Sequence, residues 1–227
     1  ETDTNAAGII SGSSDKPFLT PAGKSQAEMV GYMALAQIMD NSKTDRIDRI
    51  YVSPLTRARD TLAFFRTNAP PDMKLPPVKD DVVLDDMREI DFYSWAMQKK
   101  DDLKQKHPEE WAAFKRGDPD GVVVDGHFPL HEVWGRAGDV WREIRSVSSH
   151  HQTDDENNNN SNTASSSKHV LLVCHGTLGQ ALLGSAFGHD ATVFRQNPFE
   201  NCQMAEICWH DEKDVATSWR WIDVCEE

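Results

Sequence analysis

The chain has 227 residues, a hydrophobic content of 38% and a formal net charge of -13 at pH 7. Its length and composition indicate a soluble globular protein with one sizeable domain or two small ones. The excess of negative charge argues against nucleic acid and anionic membrane surfaces as partners, because both attract Lys and Arg. No apolar run approaches the roughly 20 residues of a membrane span. A small anionic ligand remains compatible with this charge, because local cations decide whether it binds.

The cysteines are Cys174, Cys202, Cys208 and Cys225, and they form no Cys-x-x-Cys pair. Neither a zinc knuckle nor a redox motif is therefore predicted. Three of them lie in apolar, strand-like runs, which favours buried, reduced thiols over disulfides. The chain begins at Glu1 rather than Met, so we expect that upstream residues, with any targeting peptide, were removed. The compartment stays open between cytoplasm and plastid.

Helices and strands alternate along the first half of the chain. Thr20-Pro21 is typical of an N-cap followed by proline at the first helical position, and apolar residues at helical spacing follow. A strand is predicted over 48–52, a helix over 57–66 and a short strand over 82–84. Residues 101–116 are predicted to form a charged helix or a helix pair broken at a proline.

The second half repeats this alternation. Pro129 opens a helix whose apolar residues recur at intervals of three and four. The continuous apolar run 169–174 predicts a strand buried on both faces of a parallel sheet. A helix over 178–186 and a terminal hairpin formed by 203–209 and 217–224 follow. The order of elements predicts an α/β sandwich with a mostly parallel sheet.

Residues 148–168 differ in composition from the rest of the chain, because they are rich in Asn and Ser. Such a segment buries too little apolar area to offset its ordering entropy. It is therefore predicted to be a disordered, low-complexity surface loop, and its histidines are expected to be solvated rather than metal-bound.

Three chemically active residues follow predicted strands. Arg57 stands where a helix begins, and its guanidinium beside free helical N–H groups suits a phosphate. His175 precedes Gly176, which lets backbone N–H groups approach a ligand closely. Glu89 is a candidate general acid if its apolar surroundings raise its pKa. Because open α/β sheets bind ligands at the carboxyl ends of their strands, the three together predict one anion site.

Each of these residues also has an ordinary structural explanation when it is taken alone. Arg57 could be an exposed turn arginine, His175 a core histidine and Glu89 the ion-pair partner of Arg57 or of its neighbour in the chain. Asn5, Ser11 and Gly12 lie in a predicted polar N-terminal loop, where such residues can donate hydrogen bonds to an anion.

Seven segments, in order along the chain, resemble the histidine phosphatase superfamily, which includes the cofactor-dependent phosphoglycerate mutases. They are Glu1–Asn5, Ser11–Asp15, Leu19–Gly23 with Gln26-Ala27, Ser53–Ala58 with Thr61-Leu62, Met87–Phe92, His175-Gly176 and Glu200–Cys202. Further similarity to the plant 2-carboxyarabinitol-1-phosphatase-like branch lies in Ser13–Asp15, Phe92–Ser94 and Gly126–Pro129 with Glu132–Trp134.

The resemblance implies the overall architecture. It implies a single domain over 1–227 with the phosphoglycerate mutase-like fold, a three-layer α/β sandwich around a mostly parallel sheet. A cap insertion is expected over 93–130. The sheet is expected to lack its first strand in this chain.

The resemblance also implies the chemistry, which is phosphomonoester hydrolysis through a phosphohistidine. Arg57 would clamp the phosphate, His175 would be the second histidine of the phosphate site, and Glu89 would protonate the leaving alkoxide. The expected phosphate or substrate contacts are Asn5, Ser11, Gly12, Arg57, Gly176 and Thr177. No metal or other cofactor is implied, because side chains supply the positive charge.

Two departures from the family pattern matter. The Arg-His-Gly triplet that carries the nucleophile lies just before the position of Glu1, so the chain begins one residue too late to contain it. Truncation of a normal enzyme is the preferred interpretation over natural loss of catalysis, and the chain as it stands is expected to be inactive. Ile9 and Ser11 replace the Arg and Gln that many of these phosphatases have, which changes the expected substrate contacts.

Three functions follow from these expectations. The first is a phosphatase of a small phosphorylated metabolite, favoured to be a sugar phosphate. The second is a mutase, for which the predicted cap offers basic residues that could hold a second anionic group: Lys99, Lys100, Lys104, Lys106, Lys115 and Arg116. The third is a catalytically inactive interaction protein. The sequence leaves the natural substrate and the oligomeric state open.

Overall fold

A computed structural model of the protein describes residues 1–150, 168–210 and 213–222. The helices are α1 (Asp3–Ala6), α2 (Pro21–Ser42), α3 (Thr56–Thr67), α4 (Lys100–Lys106), α5 (Pro108–Arg116), α6 (Pro129–His150) and α7 (Gly176–Ala186). The strands are β1 (Arg49–Val52), β2 (Val82–Val83), β3 (Val170–Val173), β4 (Met204–Cys208) and β5 (Ser218–Ile222). Short 3-10 turns lie at Val78–Asp80, Asp85–Met87, Tyr93–Trp95 and Ala191–Val193.

The central sheet is parallel and has the strand order β2-β1-β3. Its register places Tyr51 of β1 opposite Val82 on one side and Leu172 on the other. Strands β4 and β5 form a separate antiparallel hairpin in which Ala205 lies opposite Trp221. The predicted α/β fold with a mostly parallel sheet is therefore confirmed.

Alternate residues of β1 pack on opposite faces of the sheet, as the period of two in a strand requires. Ile50 and Val52 belong to the apolar cluster formed with α2 and α3. Tyr51, between them, belongs to the second cluster, which is formed largely by α6, α7 and the residues around α5. Helices thus cover both faces of the sheet, and the three-layer arrangement is confirmed.

The helix boundaries follow local signals in the sequence. Thr20 caps α2, since its hydroxyl accepts a hydrogen bond from Gly23 N at 3.0 Å, and Pro21 occupies the first helical position. Pro108 separates α4 from α5, as predicted. Gly117 ends α5 in the left-handed conformation (φ 77°), which a residue without a side chain adopts readily.

The structure corrects three local expectations. Asn5 lies in α1 rather than in a loop, because Thr2 and Asn5 form a reciprocal capping box that closes one helical turn. Helix α6 runs to His150, so the first three residues of the predicted disordered loop 148–168 are helical. The rest of that prediction, over 151–167, lies outside the described residues.

The third correction concerns the cysteines. Cys208 is exposed rather than buried, since it is the last residue of β4 in the two-stranded hairpin. Cys174 and Cys202 are half-buried free thiols. No helix within the described residues has the length and apolar character needed to cross a membrane.

Helices α2 and α3 approach each other so closely that Gly31 has no room for a side chain. A Cβ atom at this position would lie 2.9 Å from the backbone C and Cα of Phe65. We expect Gly31→Ala to lower the free energy of unfolding by about 1–3 kcal/mol, the usual cost of overpacking. Urea denaturation measures this change.

Gly135→Ala in α6 is the matched control, because nothing lies within 4 Å of a Cβ atom at that position. Alanine has the higher helix propensity, so this variant should be neutral or up to about 1 kcal/mol more stable. Equal urea midpoints for the two variants would show that the contact between α2 and α3 is looser than described.

Candidate active site

The site forms where β1 and β3 end side by side. Ser53 follows β1 and His175 follows β3, and His175 Nε2 lies 2.7 Å from Ser53 Oγ. Ser53 is fully buried, and its hydroxyl also accepts a hydrogen bond from Leu55 N at 3.3 Å. The hydroxyl therefore holds the imidazole in one orientation at the carboxyl edge of the sheet.

His175 is held in its neutral form. Its burial lowers its pKa well below the ordinary value, and the positive charges of Arg57 and Arg136 lower the pKa further. The imidazole is thus surrounded by cations rather than paired with a carboxylate. A ligand with negative charge would reverse this effect.

Arg57 is buried at the start of α3, with only 7% of its surface exposed. Its guanidinium donates hydrogen bonds to the carbonyl oxygens of Gly12 (2.8 Å) and Ser14 (2.6 Å). Burial lowers the pKa of Arg57, and the nearby carboxylates of Glu89 and Asp15 oppose this shift. An arginine remains protonated at neutral pH even so.

The loop that folds around Arg57 also caps α3. The Asp15 carboxylate accepts hydrogen bonds from Thr56 N at 2.6 Å and Thr56 Oγ1 at 2.9 Å. Gly12 has φ 52°, and a Cβ atom there would lie 3.0 Å from Ile90 O. The carbonyl of Gly12 thus accepts a hydrogen bond from Arg57. A residue with a side chain would fit this turn poorly, because of both the positive φ and the contact with Ile90.

Glu89 occupies the N-terminus of α7. Its Oε1 accepts hydrogen bonds from Ile90 N (2.9 Å) and Leu178 N (3.0 Å), and its Oε2 accepts one from Thr177 N (3.1 Å). Three backbone N–H donors, two of them at the start of the helix, hold this carboxylate in place. Arg88, one of the expected ion-pair partners of Glu89, pairs with Asp85 instead.

Two further arginines surround Glu89, and the sequence patterns did not reveal them. Arg136 of α6 donates hydrogen bonds to the carbonyls of Arg88 (2.8 Å) and Glu89 (3.0 Å). Arg195 follows the turn after α7, and its guanidinium lies 4.4 Å from the ring centroid of Phe114. Burial lowers the pKa of both arginines, and the charge of Glu89 opposes the shift in each case.

The outcome is a cluster of buried guanidinium groups around Glu89 in an acidic protein. The guanidinium groups of Arg57, Arg136 and Arg195 all lie near the carboxylate of Glu89. Asp15 is a further acidic neighbour of Arg57, and three surrounding aspartates are further neighbours of Arg136. A partly desolvated cluster of this kind attracts an anion strongly, because the low dielectric of the interior screens little. Within the described residues, no group of three or more His, Cys, Asp or Glu side chains is arranged to hold a metal ion.

The structure brings the predicted site residues together around two connected depressions. A groove of about 1830 Å³ is lined by Asn5, Ser11, Arg57, Glu89, His175, Gly176 and Thr177. A smaller cleft of about 240 Å³ is lined by Asn5, Ser11, Gly12, Glu89 and Thr177, together with Arg195 and residues of 93–130. Every residue predicted for the site therefore lines at least one of them.

The chain is similar to known proteins over most of its length. The sequence profile of the histidine phosphatase superfamily (branch 1) matches residues 1–222. A 2-carboxy-D-arabinitol-1-phosphatase from Triticum aestivum is 32% identical over 198 residues, which are 87% of this chain and 33% of that protein. A protein from Arabidopsis thaliana that carries the same activity in its name is 32% identical over 204 residues, 89% of this chain and 35% of that protein. The chain thus spans about a third of the length of these relatives.

Solved structures show the same fold at lower sequence identity. The mycobacterial glucosyl-3-phosphoglycerate phosphatase matches with a TM-score of 0.68 and 19% identity, over 97% of this chain and 92% of that one. A phosphoserine phosphatase mutant from Entamoeba histolytica, in complex with phosphoserine, matches with a TM-score of 0.66 and 20% identity, over 99% and 93% of the two chains. At these identities the likeness concerns the fold alone. The sequence match over almost the whole chain shows that the protein belongs to the histidine phosphatase superfamily, branch 1.

Proposed function

We propose that the protein to which this chain belongs hydrolyses a small phosphomonoester through a phosphohistidine intermediate. The observation that carries the proposal is the cluster of buried guanidinium groups around Glu89, two of which also act on His175. A phosphate dianion fits such a site in charge and in hydrogen-bonding capacity. The names of the curated relatives, which are phosphatases of 2-carboxy-D-arabinitol 1-phosphate, favour a sugar phosphate as substrate.

The proposed nucleophile is a histidine supplied by a segment that precedes Glu1. Strand β3 ends the parallel sheet, and β4 pairs only with β5 among the described strands. Both strands line the large groove that leads to Arg57 and His175, and Glu1 lines it as well. An extended apolar segment in this groove would pair with both open strand edges and bring its last residues to the site.

A buried acceptor in the same groove supports this assignment. Gln180 of α7 is only 6% exposed, and its side-chain oxygen has no hydrogen-bond partner in the described part of the chain. Leaving a buried acceptor unpaired costs about 1–3 kcal/mol. A segment in the groove could donate an N–H group to this oxygen and remove that cost.

The proposed reaction uses the described residues in two steps. The histidine nitrogen attacks phosphorus, the P–O ester bond breaks, and Glu89 gives a proton to the departing alkoxide. Glu89 then takes a proton from water, which attacks phosphorus and breaks the P–N bond to release phosphate. Arg57 and His175 stabilise the charge on the oxygens of phosphorus in both steps.

The structure also bears on the mutase alternative. A mutase needs cations for a second anionic group, and of the basic residues considered for this role only Lys100 and Lys115 line the cleft. Arg116 pairs with Asp118. Phosphate release and 2-/3-phosphoglycerate interconversion, measured on the same preparation, separate the two activities.

The nucleophile assignment predicts a sharp difference between two chains. The chain that starts at Glu1 should form no phosphoenzyme and should not turn over p-nitrophenyl phosphate. The chain extended with its natural upstream residues should form an acid-labile, base-stable phosphohistidine and release phosphate. Clear turnover by the chain that starts at Glu1 would contradict the assignment.

The acid role of Glu89 predicts a dependence on the leaving group. In the extended chain, Glu89→Gln should lower kcat/KM, which reports the phosphoryl-transfer step alone, about 10²–10⁴-fold for an alkyl phosphate such as glycerol 3-phosphate. The loss should be at least tenfold smaller for p-nitrophenyl phosphate, because p-nitrophenolate leaves readily without a proton. Glu109→Gln is the matched control, since Glu109 is an exposed residue of α5. Equal losses for both substrates would rule out proton donation by Glu89.

The neutral state of His175 predicts how stability depends on pH. Well above pH 6.5, His175 is neutral in both the folded and the unfolded chain. Its titration then makes no contribution to the pH dependence of the free energy of unfolding. Below that pH the unfolded chain binds a proton that the folded site resists, so stability falls by at most about 1.4 kcal/mol per pH unit. Thermal unfolding at pH 7.5 and pH 5.5 should therefore show a smaller acid-induced loss for His175→Asn than for the native chain.

Inorganic phosphate provides the second arm of this measurement. A bound dianion offsets the charges of Arg57 and Arg136, so it should raise the pKa of His175 and reduce the acid-induced loss. An NMR titration of the imidazole with and without phosphate measures the shift. No change in the His175 titration at saturating phosphate would show that the anion binds elsewhere.

A further inference from the structure

We propose that Ser53 is a positioning residue of the phosphate site, whose hydroxyl donates a hydrogen bond to Nε2 of His175 and so fixes the tautomer that carries its proton on Nδ1. The Nδ1–H group would then face the groove and donate to an oxygen of the bound phosphate. The inference rests on the proposed phosphatase function, and it adds how a neutral histidine stabilises negative charge at this site.

The protonation state of His175 makes the tautomer decisive. The burial of the ring and the charges of Arg57 and Arg136 hold the imidazole in its neutral form. A neutral imidazole has one N–H group and one nitrogen with a free lone pair. The nitrogen that faces the ligand therefore either donates a hydrogen bond to a phosphate oxygen or repels that oxygen through its lone pair.

The hydrogen bonds of Ser53 distinguish the two tautomers. Within the described residues its Oγ has two partners, which are Leu55 N at 3.3 Å and His175 Nε2 at 2.7 Å. Leu55 N is a donor, so the hydroxyl accepts this bond and still has its own proton to donate. Nε2 of His175 is the acceptor that remains, so this nitrogen carries the lone pair and Nδ1 carries the proton.

The opposite tautomer would leave the hydroxyl proton without an acceptor. If Nε2 carried the hydrogen, the Ser53 oxygen would accept from both Leu55 and His175, and its O–H group would be enclosed unpaired. Bulk water cannot replace the acceptor, because Ser53 is 0% exposed. The cost of a buried, unpaired donor favours the Nδ1–H form by about tenfold or more.

The second ring nitrogen of His175 is open to the groove. Nδ1 has no hydrogen-bond partner in the part of the chain that the structure describes. It is not enclosed either, since the enclosed, unpaired side-chain atoms there belong to Arg66, Gln180 and Trp209. His175 lines the large groove together with Arg57. The ring thus turns Nε2 toward the protein and Nδ1 toward the place of the proposed phosphate.

The backbone around both residues keeps this geometry fixed. Ser53 N donates to Val173 O at 3.0 Å, which continues the pairing of β1 with β3. His175 precedes α7, and its carbonyl accepts a hydrogen bond from Gly179 N at 2.7 Å. A donor that is already oriented needs no reorganisation when charge develops on the phosphate, which is the condition for strong electrostatic stabilisation.

Nuclear magnetic resonance tests the tautomer directly. In the extended chain with ¹⁵N-labelled histidine, well above neutral pH, long-range ¹H–¹⁵N spectra should show Nδ1 of His175 as the protonated nitrogen and Nε2 as the bare one. The missing signal in His175→Asn assigns the resonance. Ser53→Ala should shift the population toward Nε2–H, whereas Ser53→Thr keeps the hydroxyl and should keep the native pattern. A proton on Nε2 in the native chain overturns the proposal, and this measurement needs no folded variant of Ser53.

Kinetics test the consequence for the reaction. Ser53→Ala should lower kcat/KM about tenfold for both p-nitrophenyl phosphate and glycerol 3-phosphate, because the oxygens that Nδ1–H contacts are the same in both. Glu89→Gln should instead discriminate between the two leaving groups. Ser53→Thr should restore most of the lost activity. Unchanged kcat/KM in Ser53→Ala, or a loss confined to one substrate, refutes the role of Ser53.

Ser185→Ala is the matched control. Ser185 is a partly buried serine near the other end of α7, and its hydroxyl donates to Leu182 O at 3.3 Å. It lines neither of the two depressions. Its replacement should change neither the tautomer of His175 nor kcat/KM, and a change equal to that of Ser53→Ala would overturn the specific role of Ser53.

The two measurements separate this inference from the proposed function. If the extended chain releases no phosphate from either substrate, the phosphatase proposal fails, and the spectra still decide which nitrogen of His175 carries the proton. If the extended chain releases phosphate while Nε2 carries the proton, the role of Ser53 fails alone.

Discussion

The parallel pairing of β1 with β3 is the constraint on which both the fold and the site depend. The hydrogen bonds continue beyond the strands, since Ser53 N donates to Val173 O at 3.0 Å. This continuation places Ser53 and His175 side by side. The same register places Tyr51 in one apolar cluster, with α6 and α7, and places Ile50 and Val52 in the other, with α2 and α3. A slip of one residue would exchange the two faces and separate the histidine from its serine, so packing and chemistry select the same register.

The arginines of the site are satisfied in a way that keeps their charge available. Arg57 donates to the carbonyls of Gly12 and Ser14, and Arg136 donates to the carbonyls of Arg88 and Glu89. A carbonyl oxygen accepts the hydrogen bond, which removes much of the cost of burial, but it carries no net charge that would cancel the cation. Carboxylate partners would have stabilised the same side chains and abolished the positive potential. The choice of acceptors thus explains how an acidic protein maintains an anion site.

The sequence predicted the features that arise from local patterns. Apolar periodicity located the strands and helices to within a few residues, since burial on one or both faces leaves a regular signal. It also placed Arg57 and His175 at strand ends, where the parallel sheet brings them together. Arg195 gave no such signal, because its environment depends on Phe114 and Gly117, which are distant in the chain. Arg136 was missed for a similar reason, since its acceptors are main-chain carbonyls that any residue type provides.

The position of Glu89 suggests how substrate binding would prepare the acid under the proposed function. The carboxylate accepts hydrogen bonds from the N–H groups of Thr177 and Leu178 at the start of α7. A phosphate that bound beside His175 would compete for these donors, because a helix N-terminus suits a phosphate as well as a carboxylate. Once displaced from them, the Glu89 carboxyl group would be free to turn toward the oxygen of the leaving group. Binding of the phosphate would therefore release the side chain that acts on the leaving group, and the contacts of Glu89 with the helix start are compatible with its proposed role.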